Sequence, residues 1–359
     1  MMQISPETQL FIREHSSDDV RVLALQAKKY PDIDMPTAIT QIAGRKVAAE
    51  KIPSWWEIEK IWYPKHLSLE QCSSEITARY KARLLQGDSL TDLTGGFGID
   101  CSFLATGFKS ATYVERQEEL CEIAAHNFPV LNLNHINIKN EDGVTYLQAM
   151  SPVDCLFLDP ARRNEHGGKT VAISDCEPNV AELEELLLQK ANRVMIKLSP
   201  MLDLSLALKE LKQTQEVHIL SVNNECKELL ILLGQTSPAE ISIHCVNLFT
   251  KGTQKEQHFV FTREQEQCSE CTYTDSLETY LYEPNASLLK AGAFRSIAAA
   301  YPVRKLHPNS HLYTSDTFIE NFPGRIFRIV NQCSFNKKEV KENLADLKKA
   351  NVTVRNFPA

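Results

Sequence analysis

Between Leu90 and Asp100 the chain reads Leu-Thr-Asp-Leu-Thr-Gly-Gly-Phe-Gly-Ile-Asp, an apolar strand that meets three glycines in four positions. A helical pattern, Cys101 to Thr106, follows at once. Glycine tolerates positive φ and carries no side chain, so this arrangement suits a ligand lying against bare backbone at a helix start. The dinucleotide pattern G-x-G-x-x-G fails here, because a third glycine counted from Gly96 would fall on Cys101. An ordinary tight strand-to-helix turn is the plainer alternative.

A second pattern fits better. An S-adenosylmethionine (SAM) site wants an acidic residue followed by small residues at every second position, and Asp92, Thr94, Gly96 and Gly98 supply it, with Thr in place of the first glycine. From residue 88 strands and helices alternate, the mark of a parallel sheet covered on both faces. Strand Ala111-Glu115 ends in an acid about 20 residues after the loop, where doubly wound folds place a carboxylate for ribose hydroxyls. Arg116 follows it directly. After helix Glu118-Asn127 and a third strand near Ile136-Lys139 comes the turn Asn140-Glu141-Asp142-Gly143. Asp142 there is placed to pair with an adenine amino group, or simply to make a turn.

The fourth strand, Val153-Leu158, ends in Asp159-Pro160-Ala161-Arg162-Arg163. Ligands of open α/β sheets bind outside the carboxyl ends of such strands where the strand order reverses, so this run should face the Asp92 loop. Pro160 would lock Asp159 as a rigid carboxylate, and Arg162 and Arg163 offer phosphate contacts. Gly167-Gly168-Lys169 reads as a lid loop. Helix Val180-Lys190, strand Arg193-Leu198 and the turn Ser199-Pro200 follow, then helix Leu204-Leu211. Strands Val217-Val222 and Leu229-Leu233 close the alternation, and the short link between them predicts an antiparallel pair.

Upstream, residues 1 to about 70 read as helical, with Asp18-Asp19 before the periodic run Val20, Leu23, Ala24 and Ala27 and a second helix over Thr37-Lys51. Trp55, Trp56 and Trp62 are dense enough for a stacking platform, but packing between small helices is the commoner use. Glu70-Leu85 predicts one helix rich in polar groups, among them Ser73, Ser74 and Lys81. It either folds over a ligand or is a capped surface helix.

Net charge is −7, unevenly spread. From Pro284 onward 12 Lys and Arg face 5 Asp and Glu, or +7, which leaves −14 for the rest. An acidic body with a basic tail suits a module that meets a polyanion, and equally suits basic helix faces in solvent. Ten scattered cysteines suit free thiols in a reducing cytoplasm, and no apolar run reaches the ~18 residues of a membrane helix. No metal site is expected. Cys268-x-x-Cys271 lacks a second ligand pair, and the nearest candidates, His244, Cys245 and His258, are irregularly spaced.

With these residues in hand the chain resembles a class I SAM-dependent methyltransferase, in particular a bacterial group with a C-terminal THUMP-like domain. Asp92-Leu93-Thr94-Gly95-Gly96-Phe97-Gly98-Ile99-Asp100 looks like a variant of the family's first motif, and EQCSSEITARYK, DPARR, KLSP and NECKELL match further blocks. Tyr282-Glu283-Pro284-Asn285-Ala286, His307-Pro308-Asn309 and Leu312-Tyr313-Thr314 match its tail domain. The resemblance implies an α/β fold with a Rossmann-like methyltransferase sheet. It further implies an N-terminal helical domain (1–70), the methyltransferase domain (71–237), a small ferredoxin-like insertion (238–279) and a THUMP-like α/β domain (280–359), whose final run Val352-Ala359 reads as a strand. It assigns Asp92, Thr94, Gly95, Gly96, Gly98, Glu115, Arg116, Asp142, Gly143 and Asp159 to SAM, with Asp159, Pro160 and Arg162 at the point of methyl transfer.

THUMP-like domains are linked to RNA, and Arg295, Arg304, Lys305, Arg325, Lys337, Lys338 and Lys341 give this one a basic balance. The implied function is direct methylation of a nucleobase in structured RNA, rRNA or tRNA. Ala161 and Arg162 stand where amino-methyltransferases carry a second proline and an aromatic that stacks on the flipped base. No cysteine stands in the motif that covalent pyrimidine methylation needs; Lys197-Leu198-Ser199-Pro200 occupies it. A protein or small-molecule acceptor, or an RNA-binding protein with a vestigial SAM site, are the alternatives left open.

Overall fold

The computed structural model describes residues 4–162, 172–236, 238–334, 336–345 and 348–352. Arg163 and the Gly167-Gly168-Lys169 loop lie outside the described residues, as do the side chain of Arg162 and the last run from Thr353. The chain forms two compact units, Met1–Gln215 with Leu229–Pro238, and Glu216–Glu228 with Ala239–Ala359.

The first unit begins with helices α1 (Pro6–Glu14), α2 (Val20–Leu25) and α3 (Met35–Lys51). Each start is set by a residue that caps free backbone N–H groups: Ser5, Asp19 and Asp34, with a proline inside the first turn of α1 and α3. Phe11, Leu23, Met35, Ala38 and Ile42 form their shared core. The far end of α3 and the short α4 (Pro53–Trp56) enter a different cluster. Ala48, Ile52 and Trp55 pack there with Phe97 and Ile99 of the glycine loop and its helix. Trp55 is buried and its ring meets that of Phe97 edge-on at 5.2 Å, so this tryptophan serves packing.

The helix expected over 70–85 is broken. It comprises α5 (His66–Gln71) and α6 (Glu75–Ala82), separated by Cys72-Ser73-Ser74. Serine competes with helix by bonding elsewhere, and here the Ser73 hydroxyl donates to Asp100 at 2.7 Å.

Strands number along the chain as β1 (Ser89–Asp92), β2 (Ser110–Glu115), β3 (Ile136–Asn140), β4 (Val153–Leu158), β5 (Ala161–Arg162), β6 (Cys176–Glu177) and β7 (Ala191–Leu198). There follow β8 (Thr214–Val222), β9 (Glu225–Gly234), β10 (Ser242–Leu248), β11 (Glu256–Thr262), β12 (Tyr280–Pro284), β13 (Arg304–Lys305), β14 (Tyr313–Ser315) and β15 (Gly324–Arg328). In the first unit β1 lies between β2 and β4, all parallel, with β3 beyond β2 and β7 beyond β4. β9 runs antiparallel to β7, from Arg193 opposite Gly234 to Leu198 opposite Leu229. Helices α7 (Ile99–Ala105), α8 (Glu118–Val130) and α9 (Gly143–Ala149) follow β1, β2 and β3 in turn. This is the Rossmann-type α/β arrangement. The strand order reverses between β1 and β4, which puts the ligand crevice outside their carboxyl ends.

In the second unit Asn223 and Asn224 stand at φ of 50° and 68°, a positive pair that suits a two-residue hairpin turn after β8. β10 pairs parallel with β8, and β11 antiparallel with β10. The two strands of segment 238–262 thus extend from β8. A separate four-stranded sheet, in the order β13-β14-β12-β15, follows with Tyr282 and Tyr313 buried in it.

Trp55→Ala should lower stability by about 3–5 kcal/mol, the usual range for removing a buried aromatic. Urea unfolding would check this. A loss below about 1 kcal/mol would contradict Trp55 as the element that fastens the glycine loop to the N-terminal helices.

Candidate active site at the β1 and β4 ends

Three chain features converge at the carboxyl ends of β1, β2 and β4. The glycine loop leaves β1 at Asp92, whose Oδ1 accepts the Thr94 amide at 3.0 Å. The Gly96 amide donates to Glu115 Oε2 at 2.9 Å, which ties the loop to the end of β2. On the other side the Asp159 amide donates to the Thr94 hydroxyl at 2.6 Å, which ties the loop to the end of β4. The loop therefore bridges Glu115 and Asp159.

The three glycines are glycine for different reasons. A Cβ on Gly95 would come within 2.3 Å of the Tyr113 ring. That ring is buried, and its hydroxyl donates to the Gly96 carbonyl at 2.5 Å. Gly98 sits at φ +86° with the Phe128 ring 3.1 Å from where its Cβ would be. Gly96, at φ +54°, meets nothing nearer than the Thr94 carbonyl at 3.8 Å. Of the three it alone has no side chain within 4 Å of where its Cβ would stand. Gly143 belongs to the first kind, since its Cβ would strike the Leu93 carbonyl at 2.2 Å.

The remaining expected residues divide. Glu115 is buried, with Oε1 accepting the Gln117 amide at 2.8 Å as well as Oε2 the Gly96 amide. Asp142 caps α9, with Oδ1 accepting the Val144 and Thr145 amides at 3.0 Å each. Arg116 is drawn to an exposed ion pair with Glu177 at 3.3 Å. Pro160 is buried behind Asp159, and Arg162 pairs through its backbone with Cys176 in the two-stranded β5–β6 ribbon.

The comparisons with known proteins bear on the fold and the family. The crystal structure of a Porphyromonas gingivalis W83 protein classed as a methyltransferase is 34% identical over 100% of this chain and 90% of its own, with a TM-score of 0.86. The chain belongs to the class I SAM-dependent methyltransferases with a C-terminal THUMP-like domain. A ferredoxin-like family model matches residues 280–323 of this methyltransferase and a THUMP-like model residues 324–359. The ferredoxin-like match covers β12, β13 and β14, and the THUMP-like match begins at β15. Two further solved structures cover less than half the chain. An rRNA methylase from Streptococcus thermophilus is 15% identical over 44% of this chain and 93% of its own. A Streptococcus mutans protein classed as a methyltransferase, in complex with SAH, is 12% identical over 45% and 96%. At a TM-score of 0.32 neither carries an argument. No curated protein matches the chain in sequence.

Lys197, Asp100, Lys81 and Ser73 gather beside Asp159, and their pairing with one another is what sequence reading did not give. Lys197, at the end of β7, makes a short ion pair with Asp159 and lies 3.7 Å from Asp100. Lys81 of α6 reaches Asp100 Oδ1 at 2.9 Å and donates to the Ser73 hydroxyl at 2.8 Å. Lys81 has no exposed surface, so α6 is not simply a capped surface helix but packs a buried polar group against α7. The signals were the KLSP and EQCSSEITARYK blocks themselves; what each lysine faces is set only in three dimensions.

These charges shift one another. Burial opposes the charge on Asp100, yet Lys81, Lys197 and the Ser73 hydroxyl outweigh it and hold the carboxyl below its ordinary range. Asp92 lacks such a cation. Burial, then repulsion from Asp100, Asp159 and Glu115, drives it well above the carboxylate range, though the Thr94 amide favours its charge. Desolvation raises Asp159 as well, and Lys197 draws it part of the way back.

Two outcomes follow. Removing one partner of a buried pair strands the other, so Lys81→Met should cost about 3–5 kcal/mol. Lys65→Met, which breaks an exposed pair with Glu119, should change stability by less than about 1 kcal/mol. Chemical denaturation of both variants checks the contrast, and equal effects would contradict it. The second concerns pH. Because the folded state raises Asp92, the unfolded chain ionises first, and stability falls as pH climbs from the unfolded value through the folded one. Asp92→Asn removes that loss, so its melting temperature should gain on the wild type more at pH 8 than at pH 4. A gain independent of pH would contradict a raised Asp92.

Proposed function

We propose that this chain transfers a methyl group from SAM to a nucleobase of structured RNA, rRNA or tRNA. The observation that carries the SAM site is the glycine loop itself, fastened to Glu115 on one side and Asp159 on the other, where a Cβ on Gly96 would meet only the Thr94 carbonyl within 4 Å.

The donor set fits the cofactor. Glu115 is held by two peptide N–H groups and keeps lone pairs for ribose hydroxyls. Asp142 makes all its cap bonds through Oδ1, which leaves its second oxygen for an adenine amino group. Gly95, Gly96 and Gly98 with Asp92 and Thr94 would hold the methionine part, Gly143 lets α9 approach the loop, and Arg116 borders the ribose position. Bound SAM supplies an electrophilic methyl group on a sulfonium that is already a good leaving group.

The protein's part is then positioning, which can supply much of the rate. The Asp159 side chain is 37% exposed, so an acceptor can reach it. Its backbone is fixed by the Thr94 hydroxyl and its carboxylate by Lys197, so it presents one oxygen to orient the acceptor and take its proton. Pro160 restricts the backbone behind it, and Arg162 would contact the RNA backbone.

The RNA reading rests on the THUMP-like match and the basic tail. Its basic residues are not equivalent. Arg304 and Arg325 pair with Glu278 and Glu283, and Lys305 is buried, donating to the His307 and Pro308 carbonyls at 2.8 and 2.6 Å. Lys337, Lys338 and Lys341 lie exposed on the helix Lys337–Asn343 and are the better phosphate contacts. A reducing cytoplasm suits the ten free thiols, and no described helix is long and apolar enough to cross a membrane.

Gly96→Ala should fold, at a cost of about 1–2 kcal/mol for a left-handed alanine. It should bind S-adenosylhomocysteine at least tenfold more weakly by calorimetry. Wild-type affinity in a folded Gly96→Ala protein would contradict the site. For the substrate, mass spectra of nucleosides from total RNA should lose one methylated base when the gene is deleted; unchanged RNA with label passing from SAM to protein would contradict the RNA reading.

A further inference from the structure

Behind the Asp159 carboxylate the first unit carries a line of alternating charges that leads inward. Lys197 of β7 pairs with Asp159 Oδ2 and stands 3.7 Å from Asp100 Oδ2. Asp100, in the first turn of α7, meets Lys81 of α6 through Oδ1 at 2.9 Å and accepts the Ser73 hydroxyl on Oδ2 at 2.7 Å. Lys81 closes the line by donating to the same hydroxyl at 2.8 Å. Side-chain exposure rises along it, from 0% at Lys81 through 9% at Asp100 and 10% at Lys197 to 37% at Asp159. The end that an acceptor can reach is therefore Asp159, with the Lys197 ammonium behind it. Asp100, fixed by Lys81 and Ser73, holds that ammonium from the inner side.

We propose that this crevice methylates a weakly acidic group, an N–H or O–H that attacks as its anion, with Asp159 as the base and Lys197 as a positioning residue whose charge favours that anion. The proposal rests on the reading of the crevice as a site of methyl transfer to RNA, and names the class of acceptor. A carboxylate without a cation would suit an amino acceptor, whose nitrogen gathers positive charge as it bonds to the methyl carbon. Here an ammonium pairs with the carboxylate, and it would repel that charge. An acceptor that turns negative gains instead, since a nearby opposite charge favours the ionised form and a fixed lysine steadies charge that develops in the transition state. Burial leaves Asp159 above the ordinary carboxylate range although Lys197 opposes this, so it is a stronger base than an exposed carboxylate.

The step balances. The acceptor's bond to hydrogen breaks and its proton passes to Asp159. The electron pair left on the acceptor forms the bond to the methyl carbon, and the pair of the broken carbon–sulfur bond stays on sulfur. Asp159 then gives its proton to water, and Lys197 keeps its charge throughout. Under the nucleobase reading such an acceptor is a lactam N–H, as at N1 of guanine or N3 of uracil. The ribose 2′-hydroxyl has the same chemistry. Exocyclic amino groups lack it because they gather positive charge, and ring nitrogens with a free lone pair lack it because they have no proton to lose.

The test incubates the full chain with tritiated SAM and total RNA from cells that lack the gene, and identifies the methylated atom by mass spectrometry of the nucleosides. A methyl group on N1 of guanine or N3 of uracil is the expected product. A 2′-O-methyl product would keep the acceptor class and overturn the nucleobase reading. Methyl on an exocyclic nitrogen, on a ring nitrogen with a free lone pair or on carbon would overturn the acceptor class and keep the nucleobase reading. Label absent from RNA would overturn both. Lys197→Met should lower kcat about 100-fold while calorimetry finds its affinity for S-adenosylhomocysteine close to that of the wild type. Lys197→Arg restores the charge and should recover at least about a tenth of the wild-type kcat. Full kcat in Lys197→Met, or a folded Lys197→Arg protein that binds S-adenosylhomocysteine yet recovers no activity, would overturn the role of Lys197; should Lys197→Met not fold, the arginine variant and the product decide.

Discussion

Asp92, Asp100, Glu115 and Asp159 crowd the ends of three parallel strands, and like charges so placed cannot all stay ionised unaided. The fold answers with two kinds of partner. Peptide N–H groups serve Glu115, and Lys197 and Lys81 serve Asp159 and Asp100, whereas the single peptide N–H on Asp92 does not offset its burial. Lys197 is central because it touches two of the acids, one on the first helix after the glycine loop and one after β4. Without it, the acids that define the crevice would repel one another or take up protons. The crevice is therefore a balanced charge cluster, and its geometry depends on that balance.

The glycine loop shows how packing and ligand space are separated within a few residues. Gly95 and Gly98 let the loop lie flat against Tyr113 and Phe128. That close packing holds Gly96 outward between Glu115 and Asp159. The N-terminal helices contribute through Trp55 and Phe97, so a segment far from the crevice in sequence stiffens its floor. A substitution at Gly95 therefore acts on folding, and under the proposed function one at Gly96 acts on binding.

The parts legible in sequence were those encoded locally. The alternation of strands and helices, the loop after β1 and the acids at the ends of β2 and β4 each have a short pattern with a physical reason. The ends of Val153–Leu158 and Val180–Lys190 coincide with the expected ones. What escaped was tertiary. A lysine in a strand reads as a polar residue, and nothing in Lys197 or Lys81 announces the carboxylates they meet. The break at Cys72-Ser73-Ser74 escaped for the same reason, since Ser73 bonds to a residue on another helix. The basic tail was legible as charge but not as surface. Lys305 spends its donors on carbonyls, and two arginines spend theirs on glutamates.

The proposed function requires one placement: an adenosyl ligand lying against the glycine loop between Glu115 and Asp159. A crystal structure of the protein with S-adenosylhomocysteine tests it most directly. The account predicts the ribose hydroxyls on Glu115 and the sulfur turned toward Asp159, with Lys197 still on that carboxylate. A ligand bound elsewhere, or one that enters this crevice with its ribose away from Glu115, would contradict it.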